Sequence, residues 1–214
     1  MITKEYIERR FKRGKVFFVQ IGSNDGSRHD PIHDLAANNL NWSGVLVEPS
    51  PEAFATLRSN YDDDGRFTFE NAAISDHDGV QTFYSVSKAA EGAIANLPEW
   101  YDQLSSLDRN HIVSHLDGTL EPFIIESTVP CLTLEKLFIK NGVGHIDLLH
   151  IDAEGLDYQI MCQLNLEIRR PDMIVFESWH MTRMQLQHVY GRLKTAGYLL
   201  KEVDLDTIAR RKRA

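Results

Sequence analysis

The sequence predicts an α/β protein built on an open, doubly wound, mostly parallel sheet. Three observations carry that expectation. Apolar runs of strand length alternate with segments of helical periodicity along the 214 residues. Most of these runs end at a glycine or a carboxylate instead of a hairpin turn, and the last two stand too close together for a crossover helix.

Residues Lys4 to Arg13 read as a short charged helix. Val16-Phe17-Phe18-Val19-Gln20-Ile21 is a continuous apolar run ending at glycine, which suits a strand covered on both faces. Asp30 as N-cap and Pro31 at the first helical position predict the next helix, with Ile32, Leu35 and Ala36 at helical spacing. Gly44 to Val47 is a second buried strand closing at Glu48. Pro51 opens a helix reaching Tyr61, and Phe67 to Phe69 is a third strand leading into Asn71-Ala72-Ala73-Ile74. A turn at Asp76 to Gly79 precedes a short strand from Gln81 to Val86. The polar stretch Lys88 to Gly118 reads as a helical insertion over one end of the sheet, a candidate substrate cover. Alternation resumes with helix Leu132 to Ile139, strand Ile146 to Ile151, helix Leu156 to about Leu166, strand Pro171 to Phe176 and helix Thr182 to Ala196. The closing strands, Tyr198 to Val203 and Thr207 to Arg211, should pair antiparallel across Asp204-Leu205-Asp206.

Apolar residues make up 43% and charged residues 25% of the chain, the balance of a soluble globular protein, and nothing divides 1–214 into more than one domain. No apolar run is long enough to span a bilayer, and the polar start does not resemble a signal peptide. A formal net charge of −8 argues against a nucleic-acid partner, and the basic run Arg210 to Arg213 reads as a solvated tail. Cys131 and Cys162 lack a metal-ligand spacing and read as free thiols in a reducing compartment, so the expected location is the cytoplasm.

In open sheets of this kind, ligands bind at the carboxyl ends of the strands. Those ends carry Gly22 to Gly26, Glu48, Asn71, Asp152 with Glu154, and Glu177 with His180. The loop Gly22-Ser23-Asn24-Asp25-Gly26 has the spacing G-x-x-x-G, not the G-x-G-x-x-G of dinucleotide sites. Asp25 in that loop would repel a pyrophosphate but tolerate a cofactor bearing an ammonium and a sulfonium, as S-adenosyl-L-methionine does. Glu48, some twenty residues beyond the loop, can accept both hydroxyls of an adenosine ribose.

With these residues in place, the chain resembles the FkbM family of methyltransferases. The resemblance rests on Val19-Gln20-Ile21-Gly22-Ser23-Asn24-Asp25-Gly26, Gly44-Val45-Leu46-Val47-Glu48-Pro49, Asn71-Ala72-Ala73-Ile74 and Ile151-Asp152-Ala153-Glu154-Gly155, in family order, and runs from about Val16 to Trp179. It implies a Rossmann-like class I methyltransferase fold with a seven-stranded sheet, S-adenosyl-L-methionine as cofactor, and O-methylation of a hydroxyl on a sugar, glycan or secondary metabolite. The expected cofactor contacts are Gly22, Ser23, Asn24, Asp25, Gly26, Glu48, Pro49, Asn71, Ala72 and Asp152. The chain departs from the pattern at Gln20, where class I enzymes often carry an acid.

Methyl transfer to an alcohol needs a group to take the proton. Asp152 is expected to orient the methionine end of the cofactor or the acceptor, with Glu154 or His180 as the base. Asp152, Glu154, Glu177 and His180 could also hold a divalent ion, but no local ligand spacing supports a metal and none is assigned. His29 is expected near the cofactor and His33 in solvent, and Trp100 and Tyr101 are candidates for stacking on an acceptor. Two alternatives remain open at this level: a nicotinamide-dependent oxidoreductase, and a non-catalytic binding module of methyltransferase descent.

Overall fold

The computed structural model describes residues 2–61 and 64–212. Its elements run α1 (Ile2–Arg10), β1 (Val16–Ile21), α2 (His33–Ala37), β2 (Trp42–Val47), α3 (Pro51–Ser59), β3 (Phe67–Glu70), β4 (Ala73–Ile74), β5 (Gly79–Val86), α4 (Ala90–Ala93), β6 (Ser105–Ser106), α5 (Arg109–Val113), β7 (Ile124–Leu132), α6 (Leu134–Lys140), β8 (Leu148–Ile151), α7 (Asp157–Gln163), β9 (Met173–Glu177), α8 (Arg183–Thr195), β10 (Tyr198–Val203) and β11 (Asp206–Arg211).

Seven strands form the main sheet in the order β10-β11-β9-β8-β1-β2-β3. Neighbours from β9 to β3 are parallel, whereas β11 runs antiparallel to both β9 and β10. This is the Rossmann-like α/β sheet with an antiparallel last strand that the sequence predicts. Side chains alternate across each strand, so the continuous apolar runs feed two cores. Val19, Val47, Leu149 and Phe176 face one side, where they meet Leu137, Ile160 and Leu193 of α6, α7 and α8. Phe18, Leu46 and Val175 face the other, against Ile7, Ala36 and Leu57 of α1, α2 and α3.

Local chemistry sets the helix starts. Thr182 caps α8 in a full capping box with Gln185. Ser50 caps α3 with Pro51 in its first turn. At α2 the expected boundary moves: Asp30 Oδ1 accepts from the amides of Ile32 and His33, so it makes the capping bonds, but helix begins only at His33. His33 is not solvated as expected, since it packs edge-on against Tyr61 and bonds to the Asn60 carbonyl.

The insertion is helical as expected, in short pieces: α4 and α5 have four and five residues, a 3-10 turn stands at Tyr101–Gln103, and β6 is its one strand among the described residues. What the sequence did not predict is the second sheet that flanks it, β4-β7-β5-β6. Its spine is the antiparallel pairing of Gly79–Val86 with Ile124–Cys131. The sequence hid β7, because Glu126 and Pro130 break its apolar character and most of its side chains are exposed. Among the described residues no helix is long and apolar enough to cross a membrane.

Candidate active site

Strand order reverses between β1 and β8, so the loops leaving these neighbours diverge and a cleft opens at their carboxyl ends. The cleft holds about 840 Å³ of empty space, part of it open to solvent. Gly22, in the left-handed region at φ 77°, makes the turn out of β1. A β carbon there would lie 1.6 Å from the Asp152 carbonyl oxygen, so only glycine lets the loop lie flush against the end of β8. The amides of Gly22 and Ser23 both donate to the Val47 carbonyl at 3.0 Å, pinning the loop to β2.

Glu48 is 4% exposed. Its Oε2 accepts from the Asn24 amide and its Oε1 from the Ser50 amide, each at 2.8 Å. Burial nevertheless pushes its carboxyl up to about 7, outweighing those two hydrogen bonds. Each oxygen keeps a further lone pair, so the carboxylate can still receive two hydroxyls. The Asn71 amide braces it from behind by donating to the carbonyls of Glu48 and Pro49.

Not every residue expected at the cofactor reaches the cleft. Gly22, Ser23, Asn24, Glu48, Pro49, Ala72, Asp152 and Glu154 line it, whereas Asp25, Gly26 and Asn71 do not. Gly26 turns against Leu57 and Tyr61. The Asp25 carboxylate is bound by the Arg28 guanidinium at 2.8 Å and by the amides of Ser27 and Arg28. Burial works to raise its pKa, but the bonds from Arg28 and Ser27 leave it below the usual carboxylate value. Asp25 therefore meets a ligand in the cleft only through Arg28, which screens part of its charge and shares its own with Asp102. Arg28 itself lines the cleft and reaches Asp102 of the insertion at 2.9 Å, a tie across 74 positions that no local motif marks.

The loop after β8 gathers acids. The Asp152 side chain faces the cleft, and its carboxyl is driven well above the ordinary range by desolvation and then by Glu154, Asp157, Glu177 and Asp206. Asp157, 3% exposed, accepts from the Ala153 amide and is raised to about 7 by burial. Glu177 is raised to about 8, again chiefly by burial. Glu154 sits at φ 47°, a left-handed conformation rare for a side chain of its size, and its Oε2 lies 2.9 Å from His111 Nε2. The Ser106 hydroxyl donates to the Glu154 carbonyl, so the insertion holds this loop from both sides.

His180 does not line the cleft; it stacks on His111 and His115, with Nε2 3.8 Å from Glu177 Oε1. Burial, followed by those two histidines, lowers its pKa. Among the described residues, Asp152, Glu154, Glu177 and His180 do not converge as ligands of one ion. The cleft also takes in Gln20, Asp30 and His150, which sequence reasoning did not assign to it. Their Oε1, Oδ2 and Nδ1 atoms are buried without a partner. Orphaned polar atoms concentrated in one wall fit a polar ligand. The surrounding carboxylates fit one that brings positive charge.

A cleft at the switch point of a doubly wound sheet, with a glycine loop and a buried acid ending the next strand, has the layout of a Rossmann-like nucleoside-cofactor site. A family model described as the methyltransferase FkbM domain matches residues 20–200. The chain belongs to that family, and its class and fold imply the use of S-adenosyl-L-methionine, displacing the nicotinamide alternative. The small RNA methyltransferase HEN1 matches with a TM-score of 0.50 and 10% identity over 98% of this chain and 25% of its own. Precorrin-6y C5,15-methyltransferase from Geobacter metallireducens GS-15 gives 0.48 and 10% over 98% and 87%. The METTL16 methyltransferase domain gives 0.49 and 8% over 99% and 81%. No curated protein sequence matches this chain.

Proposed function

We propose that this protein methylates a hydroxyl oxygen on a sugar, glycan or other small metabolite, using S-adenosyl-L-methionine. The observation that carries the reading is the ring of carboxylates, Glu48, Asp152 and Glu154, around one cleft. Among the described residues, Arg28 is the one lysine or arginine in its wall, and it is already shared between Asp25 and Asp102. When bound, the cofactor supplies an electrophilic methyl group on a sulfonium, together with an ammonium.

Glu48 receives the ribose hydroxyls, which replace hydration lost on burial, and Asp152, among its neighbouring acids, receives the ammonium. Glu154, anchored by His111, takes the proton of the acceptor hydroxyl. The oxygen so freed would be the nucleophile for the methyl group that the cofactor would supply, with Glu154 holding the proton. Gln103, Ser105, Ser106 and Leu107 roof the cleft from the insertion, so the chain works as one domain with a built-in cover. The exposed indoles of Trp100, against His115, and of Trp179, beside His180, suit the apolar face of a sugar ring. The free thiols and the net charge of −8 support a cytoplasmic setting and an acceptor other than nucleic acid.

The test is labelled-methyl transfer against a panel of glycans and metabolite hydroxyls. Glu154→Gln should lower kcat by about 100-fold or more and leave S-adenosylhomocysteine affinity almost unchanged. Transfer only to peptide or RNA acceptors would overturn the hydroxyl assignment, and wild-type turnover in Glu154→Gln would remove Glu154 as the base.

A further inference from the structure

Behind Glu154 lies a cluster of three imidazoles. His111 and His115 stand four residues apart across the end of α5, and His180 comes from the loop after β9. Their ring centroids are 4.7 to 5.2 Å apart, and one ring nitrogen from each lies within 4.8 Å of the other two. We propose that His111, His115 and His180 form a binding site for a divalent transition-metal ion of the zinc type, at the edge of the cleft where Glu154 stands.

The donors are already oriented. His115 Nδ1 donates to the His111 carbonyl at 2.8 Å, because a carbonyl can only accept; this fixes the tautomer and leaves the lone pair on Nε2. The Glu154 carboxylate holds a ring nitrogen of His111, the carboxylate–histidine pairing that orients metal-bound imidazoles. His111 is buried and fixed, whereas His115 and His180 are more accessible and able to adjust. Tetrahedral zinc sites, with Zn–N bonds of about 2.1 Å, need donors about 3.4 Å apart. Closing from 4.8 Å asks a small rotation of those two rings.

Leu116 and Asp117 are left-handed at φ 49° and 52°, and Gly118 follows at 78°. An all-imidazole donor set selects zinc or its transition-metal neighbours over magnesium or calcium, which take oxygen ligands. One nitrogen from each ring lies within 4.8 Å of the others, close enough for a single cation to draw all three together. The metal's task depends on the methyl-transfer reading: an ion here would polarise an acceptor oxygen beside Glu154. Its binding does not depend on that reading.

Chelator-stripped full-length protein is titrated with zinc chloride by calorimetry and with cobalt chloride by visible absorption, without cofactor. One equivalent of zinc should bind with a Kd below about 10 μM, and cobalt should develop the ligand-field bands of a nitrogen-ligated site. His115→Ala and His180→Ala should each weaken binding at least tenfold while circular dichroism and Tm confirm folding, and His188→Ala, outside the cluster, should not. No stoichiometric binding, or equal binding by wild type and folded His115→Ala, overturns the proposal. S-adenosylhomocysteine affinity is measured separately, so its loss would strike the proposed function and leave the metal site standing.

Discussion

Glu48 titrates near neutrality because it is buried, and that gives cofactor binding a pH dependence with a definite sign. Its carboxyl, raised to about 7, must be ionised to accept two hydroxyls. Affinity for S-adenosylhomocysteine should therefore rise from pH 6 to pH 8, by up to about tenfold per unit below pH 7. Glu48→Gln should weaken binding about tenfold or more at pH 8 and flatten the profile; calorimetry at three pH values measures both. An equally steep profile in Glu48→Gln would assign the dependence to other acids. Individual residues were unevenly legible. Gly22, Glu48, Asp152 and Glu154 could be placed from the chain because each closes a strand. Asp25 was placed beside the cofactor, but its side chain is held by Arg28, three positions away, and does not line the cleft. His111 and His115 show a four-residue spacing in the sequence, but His180 joins them only through the fold.

Elements buried on both faces were the easiest to recognise. The runs at β1, β2, β8 and β9 are mostly apolar and almost wholly buried because helices cover each side, and Thr182 and Ser50 mark helix starts by their own hydrogen bonds. The second sheet was legible only in part: β5 is expected over Gln81 to Val86, but its partner β7 keeps five of nine residues exposed, so its hydrophobic periodicity is weak. The insertion is joined to the glycine loop by Arg28 and Asp102 and to the β8 loop by Ser106 and His111. Arg28→Ala should loosen the first tie and leave the second. Hydrogen exchange should then quicken across residues 101–108, with main-sheet protection unchanged. Unaltered exchange in that segment would show that the tie contributes nothing to the cover.

At the scale of the whole molecule, the cleft carries a cost in stability. Glu48 and Asp157 are raised to about 7 and Glu177 to about 8, each principally by burial. Between about pH 4.5 and 8 the folded chain binds more protons at these groups than the unfolded chain does, so stability falls as pH rises through that window. The cofactor-free protein should melt at least about 4 °C lower at pH 8 than at pH 6, and S-adenosylhomocysteine should recover part of the difference by mass action. Scanning calorimetry with and without ligand decides it. A Tm that rises toward pH 8 would mean that these acids are better compensated than their burial implies.

The strand order also sets a sequence of events in time. β10 comes before β11 in the chain, yet it reaches the sheet only through β11, which lies between it and β9. When Val203 leaves the ribosome, β10 therefore has α8 to rest on but no strand to pair with. The hairpin must form first and dock as a unit, its later arm entering the sheet and carrying the earlier one to the edge. Until it docks, β9 presents an unpaired, apolar border, and the nascent protein is most prone to associate with other chains at that moment.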